Sequence, residues 1–265
     1  MNASPPKPIL IADVQGAVDD RCIAIEEVGI RGLRHPLRFV DRGGEAQATV
    51  AVFDMFVSLG AEQKGAHMSR FVAILNERVR ELSVAGFAEL LAYTAERLEQ
   101  PAAMVRVCLP FFVTKRAPVS GVASLMDYDL TLEGRIRPGE TEITLQVVVP
   151  VTSLCPCSKE ISAYGAHNQR SHVTVSAVLA DTGLMVRDII DRVEAQASSE
   201  LFGLLKRPDE KVVTERAYDN PKFVEDMVRD MAHSLRAEPR IRRFSVSAEN
   251  FESIHNHSAY AMVRG

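Results

Sequence analysis

The stretch from Thr152 to His172 holds the residues best suited to chemistry: Cys155, Cys157, His167 and His172. Thiolate and imidazole are the usual ligands of a borderline-soft divalent metal. The stretch joins two strand-like segments, and a connection of about 20 residues is long for a compact domain. A bare Cys-x-Cys is as well explained by two inert thiols on a surface loop. Two histidines on the same loop turn the reading toward a metal or catalytic role. No second cysteine pair lies nearby, so this is not a four-cysteine structural zinc pattern. One or two cysteines with a histidine make an incomplete ligand set, which suits a catalytic ion that keeps a position open for water.

Three other clusters deserve the same weighing. Near the C-terminus stand Glu249, Glu252, His255 and His257, at a turn between two strand-like segments. Paired histidines behind carboxylates can shuttle protons near neutral pH, although a polar hairpin tip looks the same. Lys64-Gly-Ala-His67-Met-Ser-Arg70 opens a helical pattern. Basic groups and free amides at a helix start suit phosphate, and Arg170 could join them; a capped helix with solvated charges is the plainer account. The run Lys206-Arg-Pro-Asp-Glu210-Lys211, with Glu215-Arg216 beyond it, reads as a solvated charged loop. Glu225 reads first as an acid favoured by a helix dipole.

Positioning these groups requires a scaffold, and its elements can be read from periodicity. Gly29 to Val40 and Gln47 to Val57 are extended in character around a Gly43-Gly44 turn. Ser69 is a candidate N-cap before Phe71, Ile74, Leu75, Val79 and Leu82 at helical spacing. Gly86 separates a second helical pattern, Phe87 to Leu98, with Pro101 past its end. Strands are expected at Met104–Val113 and Gly121–Leu132, then a turn at Pro138-Gly139. The order recurs: strands at Glu142–Val151 and His172–Leu179, a helix at Val186–Ala197, and a helix opened by Asn220 as N-cap with Pro221 at N1. Strands at Phe244–Ala248 and Ala259–Val263 close the chain. The pattern is strand-strand-helix-helix-strand-strand, twice, without obvious sequence identity between the halves. The expected division is an N-terminal tail over 1–27, one unit over 28–139 and a second over 140–265. Each is an α+β unit, an antiparallel four-stranded sheet with two helices on one face. Open sheet edges must be covered or paired, so a homo-oligomer that closes the sheets into a barrel is expected.

Bulk properties are ordinary for a globular protein: 46% hydrophobic, 25% charged, net charge −4. No polybasic run marks a nucleic-acid binder. No signal peptide pattern opens the chain, and no run reaches the ~20 apolar residues of a membrane helix. A cytoplasmic protein with four reduced cysteines is the expectation. The proline-rich start, Pro5 to Pro8, reads as a flexible tail.

Taken together, Ser153-Leu-Cys-Pro-Cys-Ser-Lys-Glu-Ile-Ser and Tyr164-Gly-Ala-His-Asn-Gln-Arg-Ser resemble the signature of the type IB GTP cyclohydrolases. Lys64-Gly-x-His-Met-Ser-Arg, Phe251-Glu-Ser-Ile-His-Asn-His, Asp13-Val-Gln and Tyr218-x-Asn-Pro-x-Phe-Val-Glu-Asp resemble it too, so the likeness runs over nearly the whole chain. The resemblance implies a tandem tunnelling fold, two ββααββ units per chain, assembled as a homotetramer with active sites at subunit interfaces. The implied reaction turns GTP and water into 7,8-dihydroneopterin triphosphate and formate, at the head of folate synthesis. The implied cofactor is a divalent metal: Mn2+, Zn2+ or Fe2+. Cys155 and His167 match metal ligands, with Glu210 as the carboxylate ligand and Glu215 its rival. Cys157 and His255 match proton-handling residues. Glu225 matches the glutamate that anchors a purine or pterin edge; Lys64, Arg70 and Arg170 are expected to hold the triphosphate, and His67 is expected among the substrate-binding residues. Two rivals remain: another tunnelling-fold enzyme such as a nitrile reductase, which needs one nucleophilic cysteine and NADPH but no metal, and a non-catalytic metal-binding protein.

Overall fold

The computed structural model describes residues 13–41, 43–44 and 46–265. The proline-rich start at 5–8 lies outside them. The described residues form one sheet with helices on one face, an α+β arrangement. In chain order the elements are β1 (Ile25–Val40), β2 (Ala46–Leu59), α1 (Met68–Arg78), β3 (Glu81–Leu82), α2 (Val84–Arg97), β4 (Ala103–Arg116), β5 (Ala123–Arg137), β6 (Glu140–Leu154), α3 (Pro156–Ile161), β7 (Asn168–Leu179), α4 (Val186–Gln196), β8 (Ser199–Glu200), α5 (Arg207–Asp219), α6 (Val224–Arg236), β9 (Ile241–Asn250) and β10 (Ala259–Arg264). The sheet runs β10-β9-β7-β6-β5-β4-β2-β1-β3, with β8 against β6.

The long strands arise from strict alternation of apolar and polar residues, which gives each strand a buried and a wetter face. In β4, Val105, Val107 and Leu109 point to the core and Arg106 and Cys108 away from it. Val173, Val175 and Ala177 do the same in β7. The helices cover the apolar face. Phe71, Ile74 and Leu75 of α1, Phe87 and Leu91 of α2, Ile189, Ile190 and Val193 of α4, and Met227, Met231 and Leu235 of α6 are all buried. Gly134 of β5 makes room for α2: a Cβ there would lie 2.6 Å from Leu91 Cδ2 and 2.9 Å from Phe87 Cε1. The chain passes from β5 into β6 through a hairpin at Pro138-Gly139, and Arg137 pairs with Glu140, so the sheet is continuous across the middle of the sequence.

Several expectations are corrected. The N-cap position of α1 is His67, not Ser69, and its side chain makes no capping hydrogen bond. Gly86 lies in the first turn of α2 rather than before it, and its N–H donates to Oγ of the N-cap Ser83 at 3.0 Å. Asn220 is the C-cap of α5, and α6 starts only at Val224. The 206–216 run is largely helix α5, not a loop; its buried residues are Asp209 and Ala217, so it shows no apolar stripe. Order reaches further back than Val28. Lys64 N–H donates to Ala17 O, and Gln15 Nε2 donates to Ala66 O.

Candidate active site

The strand directions gather most of the candidate residues at one end of the sheet. β6 ends at Leu154, paired with Asn168 where β7 begins. β9 ends at Asn250, paired with Ser171 and with Ala259, the first residue of β10. The 155–167 connection and the 251–258 turn therefore lie side by side. Lys222 N–H donates to Leu154 O at 3.0 Å, which brings the start of α6, and Glu225 with it, to the same end. Arg170 joins through its carbonyl, which accepts Phe251 N–H at 3.0 Å.

Cys155 and His167 are held as a pair. Cys155 N–H donates to His167 O at 3.1 Å, so the connection closes on itself. Pro156 starts the short helix α3, with Cys155 as N-cap and its sulfur accepting Ser158 N–H at 3.5 Å. Ser158 Oγ in turn accepts His167 N–H at 3.2 Å. The His167 ring is mostly buried, and its Nδ1 lies 3.0 Å from Gln169 Oε1. An amide oxygen only accepts, so Nδ1 carries the proton and the Nε2 lone pair is free. Glu252 stands close by, its Oε2 3.9 Å from Nδ1, with both side chains mostly buried. Ser253 Oγ lies 3.5 Å from the same nitrogen. The sequence marks this turn as a proton shuttle of histidines and carboxylates; the nearness of Glu252 to His167 has no local signal.

The donor chemistry fits a divalent metal. A thiol and an imidazole with a free lone pair stand at the two ends of one closed loop, and the Glu252 carboxylate lies on the Nδ1 side of that imidazole. Among the described residues, no group of three or more His, Cys, Asp or Glu side chains converges closely enough to hold an ion. Glu210 sits exposed in the first turn of α5, and Glu215 pairs with Lys211. Neither is brought into such a group. Cys157, on α3, is exposed. His255 and His257 are exposed and stacked, with ring centroids 5.1 Å apart. His172 packs edge-on against Phe251 at 4.8 Å, a structural contact rather than a ligand position.

Lys64, His67 and Arg70 are elsewhere. His67 Nε2 lies 3.0 Å from Asp13 Oδ1, and the Gly16 N–H and this histidine hold the Asp13 carboxyl below its usual range. His67 and Arg70 line a cavity of about 450 Å³ together with Asp13, Glu62, Val57 and Leu59. Val57 pairs with Ala103, Ala103 with Ile136, and Ile136 with Thr141 at the start of β6. From residue 141 to residue 154 a strand rises about 40 Å, at ~3.3 Å per residue. The cavity is therefore at the opposite end of the sheet from Cys155, and one chain does not bring the two clusters together.

No helix among the described residues is long and apolar enough to cross a membrane. A solved urate oxidase, a hyperthermostable mutant from Bacillus sp. TB-90, matches the fold with a TM-score of 0.51 at 9% identity, covering 91% of this chain and 98% of that one. The likeness concerns the fold alone. In sequence, the chain is 59% identical over 254 residues to the GTP cyclohydrolase FolE2 of Azoarcus sp., covering 96% of this chain and 94% of the relative. It is 57% identical over 263 residues to the GTP cyclohydrolase FolE2 of Janthinobacterium sp., covering 99% and 97%. The family model described as type I GTP cyclohydrolase folE2 matches residues 11–261. The chain belongs to that type I GTP cyclohydrolase family.

Proposed function

We infer that this chain converts GTP and water to 7,8-dihydroneopterin triphosphate and formate, the first step of tetrahydrofolate biosynthesis, in the cytoplasm and with a divalent metal. What supports the metal reading is the closed loop that ends in a thiol residue and an imidazole residue, Cys155 and His167, joined by the bond from Cys155 N–H to His167 O. Mn2+, Zn2+ and Fe2+ are the candidate ions. Such an ion, when bound, supplies a water acidified toward neutrality. Cys155 and His167 hold it, with a carboxylate from Glu210, Glu215 or the nearby Glu252.

Glu225 anchors the base. Its carboxylate, exposed in the first turn of α6, accepts from both N1–H and the 2-amino group of guanine. His255, with Cys157, delivers the proton that the departing ring nitrogen needs as the imidazole ring opens. Arg170, at this end of the sheet, meets the triphosphate. Lys64, His67 and Arg70 cannot reach it from the far end of the same chain, so a second copy supplies them. That requirement supports a homo-oligomer with interfacial sites, in our reading a homotetramer whose sheets continue into a barrel. In the same reading the two units of a tandem tunnelling fold are residues 28–139 and 140–265, behind the extension 1–27.

The test is incubation of chelated and then metal-reconstituted protein with GTP, followed by pterin fluorescence and formate. Both products should appear only after reconstitution. Tight metal binding without either product would refute the catalytic reading.

A further inference from the structure

Behind His167 lies a file of buried polar side chains that the reaction does not use directly. Gln169, Ser153, Ser171 and Asn250 are each at least nine-tenths buried. Gln169 Nε2 donates to Ser153 Oγ at 3.0 Å. Ser153 Oγ and Ser171 Oγ are 2.8 Å apart. Ser171 Oγ donates to Asn250 Oδ1 at 2.7 Å. The file crosses three strands, because Ser153 pairs with Gln169 across β6 and β7, and Ser171 with Asn250 across β7 and β9. Buried polar groups are hydrogen-bonded as a rule, and a file of this kind polarises along its length.

With Oδ1 of Asn250 facing Ser171, the donor count gives the file one direction. A serine has a single proton. Ser171 commits its proton to Asn250 Oδ1, so Ser153 must donate to Ser171. Ser153 Oγ is then the acceptor for Gln169, which turns the amide NH2 of Gln169 inward and its Oε1 outward. Oε1 faces His167 Nδ1 at 3.0 Å. Two other oxygens lie near that nitrogen, both farther away: Ser253 Oγ at 3.5 Å, the limit of a hydrogen bond, and Glu252 Oε2 at 3.9 Å, beyond it.

We propose that Gln169 is a positioning residue that fixes His167 as the Nδ1–H tautomer, and that its own orientation is set by the buried Ser153–Ser171–Asn250 file. The neutral amide orients the ring without adding a charge beside it. The value of this for metal binding rests on the reading of His167 as a ligand. The tautomer itself does not, and it can be measured in the metal-free protein.

The experiment uses full-length, metal-free protein with 15N-labelled histidine. The side-chain nitrogen signals of His167 are identified by their absence in His167→Ala. In the wild type, Nδ1 should appear protonated and Nε2 bare. Gln169→Leu should give a mixture of tautomers or the Nε2–H form. Gln169→Glu should restore the Nδ1–H form, since Ser153 can turn its hydroxyl to donate to a carboxylate. Ser153→Ala, which removes the file without touching the histidine, should give part of the Leu effect, and it carries the test if Gln169→Leu fails to fold. Zn2+ binding, measured against a chromophoric chelator, should weaken 10–100-fold in Gln169→Leu and recover in Gln169→Glu. An unchanged Nδ1–H tautomer in Gln169→Leu would overturn the proposal and point to Ser253 or Glu252 as the group that holds the ring. If His167→Ala binds Zn2+ as tightly as the wild type, the ligand reading of His167 fails, while the tautomer result still decides the role of Gln169.

Discussion

The Asp209 carboxylate and Ser120 are joined by two hydrogen bonds, from Ser120 N–H at 2.8 Å and from its hydroxyl at 2.6 Å. Val119 N–H and Lys206 N–H, both at 2.8 Å, complete the set. The carboxylate thus clamps the β4–β5 turn to the first turn of α5, next to Glu210. Burial alone would raise the Asp209 pKa, but these bonds outweigh it and hold the carboxyl below the ordinary carboxylate range. A depressed folded pKa means that the contribution is present above the unfolded value near ~3.9 and is lost as pH falls through the folded value. Asp209→Asn turns an NH2 toward one set of donors. It should lower Tm by roughly 5 °C at neutral pH. Amide exchange at Val119, Ser120 and Lys206 should accelerate. Unchanged exchange there would remove the clamp from the account.

Glu238 makes a second pH-dependent tie. It accepts from Arg240 Nε at 2.7 Å and Arg192 Nη2 at 2.5 Å, joining α4 to the corner between α6 and β9. The Arg240 side chain, with Arg192 behind it, outweighs burial and takes the carboxyl down to about 2 from 4.5. Its stabilisation is full above about pH 4.5 and fades as pH falls toward about 2. Glu238→Gln should cost on the order of 2 kcal/mol at pH 7. The gap from the wild type should narrow steadily below pH 4.5, as read from urea midpoints at several pH values. A gap that stays constant to pH 3 would contradict this assignment.

The strands were legible because alternation is a local signal: Met104 to Val113 and Glu142 to Val151 name their own buried face. Helix α5 was not, because it buries little beyond Asp209 and Ala217 and its charges read as a solvated loop. Its end also misled. Asn220-Pro221 has the chemistry of a helix start, yet Asn220 closes α5 and Nδ2 donates to Ala197 O. Residue type and spacing pointed to one or two of the loop cysteines acting with a histidine; the choice of Cys155 and His167 among them came from the family resemblance. The placement of Glu252 beside His167 was not legible, because it depends on two turns lying on neighbouring strands. The separation of Lys64, His67 and Arg70 from Cys155 is likewise a matter of strand direction, which no local motif states.

Lys115 tests how the two halves are held together. Its Nζ lies 2.8 Å from Glu194 and 2.6 Å from Glu200, and Tyr128 donates to Glu194 at 2.7 Å. Lys115 and Tyr128 come from β4 and β5, and their partners from α4 and β8. Burial pushes the Glu194 carboxyl up, and Lys115 opposes it. Lys115→Ala leaves the buried Glu194 carboxylate without its cation, beside Glu200, which keeps its pair with Arg216. Removing one partner of a buried ion pair costs about 3–5 kcal/mol. The variant should unfold at clearly lower urea, with a larger loss than Lys211→Ala, whose ion pair with Glu215 is exposed. Equal losses would show that the buried network contributes no more than a surface pair.

The site residues separate by readout. Cys155→Ala should abolish both bound metal and formate release, and full metal occupancy would refute its assignment. Glu225→Gln should keep the metal and raise the KM for GTP about 10- to 100-fold, since a carboxylate that accepts two guanine donors is replaced by an amide that accepts one. Unchanged KM and kcat would remove the anchoring role.

The distance between the two ends of the sheet yields the most direct test of assembly. If each site takes Cys155 from one chain and Arg70 from another, Cys155→Ala and Arg70→Ala should each be inactive alone. Mixed and allowed to exchange subunits, they should regain activity. A working site needs its thiol from the Arg70 variant and its arginine from the Cys155 variant. With random mixing in equal amounts, each condition is met half the time, so roughly a quarter of wild-type activity should return. The double variant Cys155→Ala/Arg70→Ala mixed with wild type is the control. It offers no complementing residues, and activity should not rise above the share that wild-type chains can supply. If the two single variants never rescue each other although subunits demonstrably exchange, each chain must complete its own site. The residues at the far end of the sheet would then have another task.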